Sequence, residues 1–390
     1  MKQLNETNIP VTGIGLVSTL GNTLELFWEG LRQRSRTTII TGAYEALSFD
    51  ESINTPAGFP TDAISPENRI LEMGSQAITS AVNNWGGDLK EYPRICLVVG
   101  SGLGLSDQLI YERGIHEENK YYLASLGRKL AGYVNANCEH AYIGNACCAG
   151  SQAICYGMDL LLFDHYDLVI CGGIDSFSSI AHAGFLRLNA IDALSCKPFD
   201  KDRKGIAIGE GAVFFILEKQ KDAVRRNRSI YCVLSGYGTT NDAYHVVQIK
   251  EDGADIKRAM EQALTYSRLE KSEVDLIIAH GTGTILNDRI EAKAISEFFG
   301  ENLKRMYVTA PKGAIGHTGG ASGGFGLLTA AGAICHGGIP SVCNLFNPDN
   351  ECKIPLVMNK YLKHDINAVM VSAFAFGGTN VVIICKKWYR

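Results

Sequence analysis

Short runs rich in valine and isoleucine alternate along the chain with longer stretches whose apolar residues recur every three to four positions. That alternation predicts strands interleaved with helices, the mark of a layered α/β architecture. The runs that read as strands include PVTGIGLV, RICLVVGSG, HAYIGN, YDLVICGG, GAVFFILE, YCVLSGYG, DLIIAHGTG, RMYVTAP and AVMVSAFAFGG. The longer stretches predict helices over 22–33, 72–84, 119–134, 150–164, 255–268, 288–299 and 321–335. In the fourth of these, Ile154, Met158, Leu161 and Leu162 fall on one helical face.

Four strand-and-small-residue units occur twice, in the same order. VTGIG at 11–15 returns as LSGYG at 234–238, and CLVVGSG at 96–102 returns as LIIAHGTG at 276–283. YIGNACCAG corresponds loosely to YVTAPKGAIGHTGGASG, and LVICGGIDS to VMVSAFAFGGTN. Repetition with unequal loops predicts two similar halves, 1–228 and 229–390, joined near the basic KQKDAVRRNRS segment.

Composition narrows the class. With 390 residues, 46% of them hydrophobic, the chain is long enough to bury a large core. A formal net charge of −4 gives no global attraction to nucleic acid or to an anionic membrane. The N-terminus is polar, and no apolar run approaches the roughly 18 residues of a membrane span, so a cytoplasmic protein without membrane insertion is expected. Most of the 12 cysteines sit inside apolar runs, as small hydrophobes do in a reduced core. No CxxC pair and no Cys/His cluster with zinc-finger spacing occurs, so no metal site is expected.

Four stretches carry candidate chemistry. In GNACCAGSQAICYG the adjacent Cys147 and Cys148 fall at a strand-to-helix turn, where helix N-terminal N–H groups lower a thiol's pKa and expose it as a nucleophile. The residues alone do not choose between the two thiols. In AHGTGT, His280 ends an apolar run and Thr282 and Thr284 offer hydroxyls to the amides of a ligand. In APKGAIGHTGGASGG, Lys312 lies near His317, and a nearby ammonium favours the neutral, hydrogen-bond-donating imidazole. SAFAFGGTN places Phe374 and Phe376 before paired glycines. Neither a dinucleotide-binding GxGxxG in a βαβ unit nor a GxxxxGK[ST] phosphate loop is present, and no GxSxG elbow sits at a strand end.

Taken in order, the ACCAG elbow, KPFDKDRKGIAIGEGA, NDAYH, HGTGT with ND and E behind it, K followed by GH, and FAFGGTN resemble the elongating β-ketoacyl-acyl carrier protein (ACP) synthases of the thiolase superfamily. The resemblance implies a thiolase fold, five α-β-α-β-α layers built from two duplicated halves. It implies a decarboxylative Claisen condensation of an acyl thioester on Cys147 with malonyl-ACP, giving 3-oxoacyl-ACP, in fatty acid or polyketide elongation. It aligns Cys147 with the nucleophile and Cys148 with a small neighbour, and makes His280 and His317 the donors to the malonyl thioester oxygen. Lys312 would orient the histidines, and Glu291 would support the site from behind. The N–H groups of Cys147 and Phe376 would form the second oxyanion hole, and Phe374 and Phe376 the gate. Thr282 and Thr284 match positions that hold the pantetheine arm, and Lys201, Arg203 and Lys204 match the ACP landing patch. No cofactor is bound in this family; substrates arrive on the phosphopantetheine of ACP. The family dimerises, as a homodimer or with a homologous chain-length factor, and a subunit working only in such a heterodimer is the alternative reading. A thiolase would need a second C-terminal catalytic cysteine, and a priming synthase pairs histidine with asparagine.

Three departures stand out. The segment over 103–140 is shorter than in the fatty-acid enzymes, and NKYYLASLGRKLAGYVNANCEH replaces their tunnel-lining stretch. Asn145 is expected to make the pocket floor more polar, and Ala375, in place of a glycine, to restrict the gate. These features fit a specialised polyketide or polyene pathway better than housekeeping fatty-acid synthesis.

Overall fold

Each apolar run read above as a strand forms one, and the glycines inside the repeated strands show why. The computed structural model describes residues 8–33, 66–106, 122–192 and 195–389. Its elements begin with β1 (Ile9–Val17), α1 (Leu24–Gln33), α2 (Pro66–Trp85), β2 (Ile95–Gly100), α3 (Tyr122–Ala131), β3 (Cys138–Ile143), α4 (Ala149–Leu162), β4 (Leu168–Asp175) and α5 (Ser179–Arg187). They continue with β5 (Gly211–Glu218), α6 (Gln220–Arg225), β6 (Cys232–Asn241), α7 (Ala254–Ser267), β7 (Leu276–Ile278), α8 (Ile285–Phe299), β8 (Tyr307–Thr309), α9 (Lys312–Ile315) and α10 (Ser322–His336). The last are β9 (Gly338–Ile339), β10 (Leu362–Lys363), β11 (Ala368–Ala375) and β12 (Thr379–Lys386).

Ten strands form one sheet in the order β3-β2-β4-β5-β1-β6-β12-β11-β7-β8. From either outer edge inward the pattern is the same: two parallel pairings, then two antiparallel ones. The repeated motifs occupy matching places, β1 with β6, β2 with β7, β3 with β8 and β4 with β11. Among the described residues the two five-stranded runs join where Ile9–Val11 pairs antiparallel with Cys232–Leu234.

Strand alternation then separates three hydrophobic clusters. On the first five strands Leu97, Val99, Ile170, Phe214 and Ile216 face Met73, Ile78 and Leu126 of α2 and α3, while Val98, Cys171, Val213 and Phe215 face the central helices. On the second five, Ile277, Met370, Val382 and Ile384 pack against Met260, Ala263 and Ile295 of α7 and α8, and Ile278, Val371 and Ile383 face inward. Five layers result, with α4 and α10 in the middle. Gly15 lets β1 approach α2: a Cβ there would lie 2.0 Å from the Ala77 carbonyl oxygen. Gly238 of β6 does the same against Ala259 of α7, again at 2.0 Å. The repeated glycines are therefore points of close strand–helix contact.

Three expectations change. Ile154, Met158 and Leu161 are buried, but Leu162 is 38% exposed at the last turn of α4. A helix sandwiched between the two five-stranded runs of the sheet is apolar on nearly every side, so no single face marks it. Helices α5, α6 and α9 were not anticipated, because each is short, nine residues or fewer. The helix expected over 119–134 is described from Tyr122 onward, and its first residues, with much of the shortened 103–140 segment, lie outside the described residues.

Candidate active site

The thiol pair sits where β3 hands over to α4, in a single turn spanning Ala146–Cys148. Ala146 adopts φ 41°, the left-handed region, at a cost of about 1–2 kcal/mol for a residue with a Cβ. Cys148 is wholly buried, and its S–H faces the carbonyls of Ala373 and Thr379 at 3.2 and 3.4 Å. Cys147 is only partly covered and opens onto two cavities. The structure thus separates the thiols: Cys148 anchors the turn to the β11–β12 hairpin, and Cys147 faces space.

The outer cavity, about 340 Å³, is bordered by Cys147, His280, His317, Thr282, Thr284, Phe374 and Phe376, with Phe185 of α5. The inner one, about 100 Å³, lies between the halves and is bordered by Cys147, Phe185, His317, Asp175, Ile208 and Leu103. Cys147 is therefore placed between a larger chamber and a smaller, more apolar one.

Both imidazoles are buried and set nearly perpendicular, 5.7 Å between centroids. Lys312, itself 4% exposed, donates to the His280 backbone carbonyl at 2.6 Å and approaches its Nδ1 at 3.2 Å. The Gly319 N–H donates to His317 Nδ1 at 3.1 Å, with the Ser322 hydroxyl at 3.3 Å. An ammonium and an amide can only donate, so both Nδ1 atoms accept and both protons reside on Nε2. Burial, then the Lys312 charge, pushes His280 well below the usual histidine range and His317 down to about 3. Both histidines are thus held neutral; the sequence pointed to this for His317 through Lys312, whereas the direct Lys312 contact is with His280. Burial lowers Lys312 as well, opposed by the Glu291 charge.

The loop carrying His280 is gripped from α8, where Asp288 and Glu291 stand one turn apart. Glu291 accepts from the N–H groups of His280 and Gly281 at 2.7 and 2.8 Å, and burial raises it to about 7. Asp288 accepts from the N–H of Thr282 at 3.0 Å and of Phe199 at 2.7 Å. Thr282 and Thr284 place their hydroxyls 2.9 Å apart at the cavity wall.

Burial pushes the Cys147 thiol up to about 12, with Lys312 only partly opposing it. This runs against the lowering expected from the helix N-terminus, because desolvation disfavours the charged thiolate. Asn145 is corrected too. It borders neither cavity, and its amide instead donates to Gln152 at 2.8 Å and to Thr379 at 3.3 Å. Ala375 is the last paired residue of β11, opposite Thr379, and the left-handed positions fall on Gly377 and Gly378, φ 85° and 79°. The alanine therefore carries no backbone strain in this conformation. Phe374 is buried with its ring 5.4 Å from His280, and the half-exposed Phe376 packs on Phe185 at 5.6 Å.

Arg203 is not part of a surface patch. Its side chain is 1% exposed, paired with Asp349 at 2.6 Å and near Asp288 at 3.8 Å, and it donates to the Thr284 and Ile285 carbonyls. Lys201 and Lys204 on either side are exposed. Removing one partner of such a buried set leaves an unpaired charge, so Arg203→Ala is expected to destabilise the fold by about 3–5 kcal/mol. Lys201→Ala should stay within about 0.5 kcal/mol of the parent in the same denaturant titration.

Sequence reasoning missed Asp175, Phe185, Ser322 and the Val247–Ile249 wall as site residues, and took Asp242 only as part of the NDAYH motif, without a role. Asp175 left a signal, a carboxylate closing an otherwise apolar strand. Phe185 left none, since its helix was not foreseen.

Models of the β-ketoacyl synthase family match this chain, the N-terminal domain over residues 6–223 and the C-terminal domain over 231–346. A 3-oxoacyl-[acyl-carrier-protein] synthase 2 from Synechocystis sp. is 29% identical over 419 residues, covering 100% of both chains. A putative polyketide β-ketoacyl synthase 1 from Streptomyces virginiae is 28% identical, covering 99% of both. Among solved structures, the ishigamide ketosynthase/chain length factor superposes with a TM-score of 0.85 at 28% identity, over 98% of this chain and 99% of that one. A β-ketoacyl synthase from Burkholderia phymatum gives the same TM-score at 24% identity, over 98% and 100%, a likeness of fold.

Proposed function

Because the chain belongs to the β-ketoacyl synthase family, we propose that Cys147 carries the acyl group in a decarboxylative condensation with malonyl-ACP, served by His280 and His317. The observation that carries the assignment is Cys147 lying between two cavities and bordering the outer one together with two neutral Nε2–H donors. The enzyme is an acyltransferase that forms a carbon–carbon bond. Its substrates arrive on the phosphopantetheine of ACP, and its site of action is the cytoplasm. None of the described helices is long and apolar enough to cross a membrane.

In the first half-reaction the Cys147 sulfur attacks the acyl thioester, and its proton passes to the departing pantetheine thiol. The acyl chain then occupies the inner cavity. In the second, malonyl thioester enters the outer cavity with its pantetheine arm against Thr282 and Thr284. The carboxylate leaves as CO2, and its electron pair forms an enolate whose oxygen accepts from the Nε2–H groups of His280 and His317. Neutral donors fixed in a desolvated site stabilise that charge by about 3–4 kcal/mol each. The enolate carbon attacks the acyl-Cys147 carbonyl, whose oxygen turns to the N–H groups of Cys147 and Phe376. The Cys147 thiolate is expelled and takes up a proton from solvent water, giving 3-oxoacyl-ACP. Phe376, on the exposed hairpin, admits the extender; Phe374 packs the ring of His280. Lys312 and Glu291 hold His280 and move no proton.

An acidic ACP meets the exposed Lys201 and Lys204, together with Arg187, which is exposed between the cavity-lining Phe185 and Leu188. Charge reversal at Lys201 and Lys204 should raise KM for ACP substrates about tenfold at low salt, with kcat unchanged and the difference shrinking as salt rises. Among the described residues strand β3 is an edge of the sheet with no further strand beside it, close to the nucleophile, and its residues are exposed or only partly buried. It suits pairing with a second copy, or with a homologue of the chain-length-factor kind. Supplying purified enzyme with acyl-ACP and malonyl-ACP should yield CO2 and 3-oxoacyl-ACP in equal amounts. No product with any acyl-ACP, even after adding a homologous partner subunit, would contradict the proposal.

A further inference from the structure

Asp175 ends β4 on the wall of the inner cavity, 2% exposed, and its carboxylate collects four donors from two loops. Oδ1 accepts from the Ser101 hydroxyl at 2.5 Å and the Leu103 N–H at 3.2 Å. Oδ2 accepts from the Gly102 N–H at 3.0 Å and the Gly320 N–H at 2.5 Å. The first three donors follow β2 in one half of the molecule. The fourth belongs to the other half, one residue beyond the Gly319 amide that donates to His317 Nδ1. Gly319 has φ 55°, and a Cβ there would lie 2.4 Å from Asp175 Oδ2, so the loop rests directly on the carboxylate.

We infer that Asp175 is a positioning residue for the condensation: by fixing the Gly319–Gly320 amides it aims the Nε2–H of His317 at the malonyl thioester oxygen. The inference rests on the ketosynthase reading above and assigns to it a residue that acts on His317 through the Gly319–Gly320 amides rather than by a hydrogen bond to the imidazole. A second consequence follows from charge. The carboxylate borders the same cavity as Cys147 and opposes ionisation of its thiol.

These two effects pull opposite ways in Asp175→Asn, which keeps the volume but turns an acceptor oxygen into an NH2 facing N–H donors. CO2 release from saturating malonyl-ACP should fall about 10- to 100-fold, with KM changed less than about threefold. Alkylation of Cys147 by iodoacetamide near pH 7.5 should meanwhile rise about three- to tenfold, because less negative charge opposes the thiolate. Asp175→Glu should return alkylation to within about twofold of the parent and recover part of the CO2 release, since the charge is restored. General loosening would slow both reactions together. That outcome, or unchanged CO2 release, overturns the inference. Should Asp175→Asn not fold, amide exchange of the parent decides: the Gly319 and Gly320 amides should exchange as slowly as the buried helix α10, and rapid exchange overturns it. A parent enzyme that releases no CO2 would refute the ketosynthase reading itself, whereas an active parent with an indifferent Asp175→Asn would sink this inference alone.

Discussion

Cys147→Ala is expected to abolish the acyl-enzyme and to lower condensation by at least about 10⁴-fold, because no other group can hold the acyl chain between the two cavities. Cys148→Ala should behave quite differently. Its sulfur faces backbone carbonyls and no cavity, so the variant should still be acylated, with a stability loss of about 1 kcal/mol. Intact mass after incubation with acyl-ACP, paired with a melting curve, separates the two. Loss of acylation in Cys148→Ala, with the fold intact, would reverse the assignment of the thiols.

His280→Ala and His317→Ala should each lower malonyl decarboxylation about 10²- to 10³-fold, the scale seen when one oxyanion donor is removed elsewhere. The double variant should lose much less than the product of the two, since the donors serve one oxygen. Lys312→Met should come close to His280→Ala, because Lys312 holds His280 in its donating tautomer. The pH dependence follows from the direction of the shifts. Both histidines are held below the usual range, His280 well below it and His317 at about 3, so both are neutral at neutral pH. Decarboxylation should therefore show no inflection near the ordinary histidine value of about 6.5. An inflection there that vanished in His317→Ala would show that the imidazole is charged at rest.

Much of this site was readable in the chain because its chemistry lies in short contiguous motifs at strand ends. HGTGT and KGAIGHTGG each follow an apolar strand, β7 and β8, and β strands feed side chains toward one end of the sheet. The duplicated order was readable for the same reason: Gly15 and Gly238 are imposed by helices pressing on matching strands. What escaped was fixed by long-range packing. Arg203 stands in a run of alternating charges indistinguishable from a surface patch, yet contacts with Asp288 and Asp349, 85 and 146 positions away by 288 − 203 and 349 − 203, draw it inside. The raised Cys147 pKa has no local signature, since the desolvating groups come from both halves. Asp175 was visible as an odd carboxylate, but only the Gly320 amide from the other half gives it a task.

The most direct test is to incubate the enzyme with a series of acyl-ACPs, map the adduct by peptide mass spectrometry, and then add malonyl-ACP. The account predicts an acyl group on Cys147 alone, discharged by malonyl-ACP with release of CO2 and formation of 3-oxoacyl-ACP. An adduct on Cys148, or one on Cys147 that persists in malonyl-ACP, would contradict it.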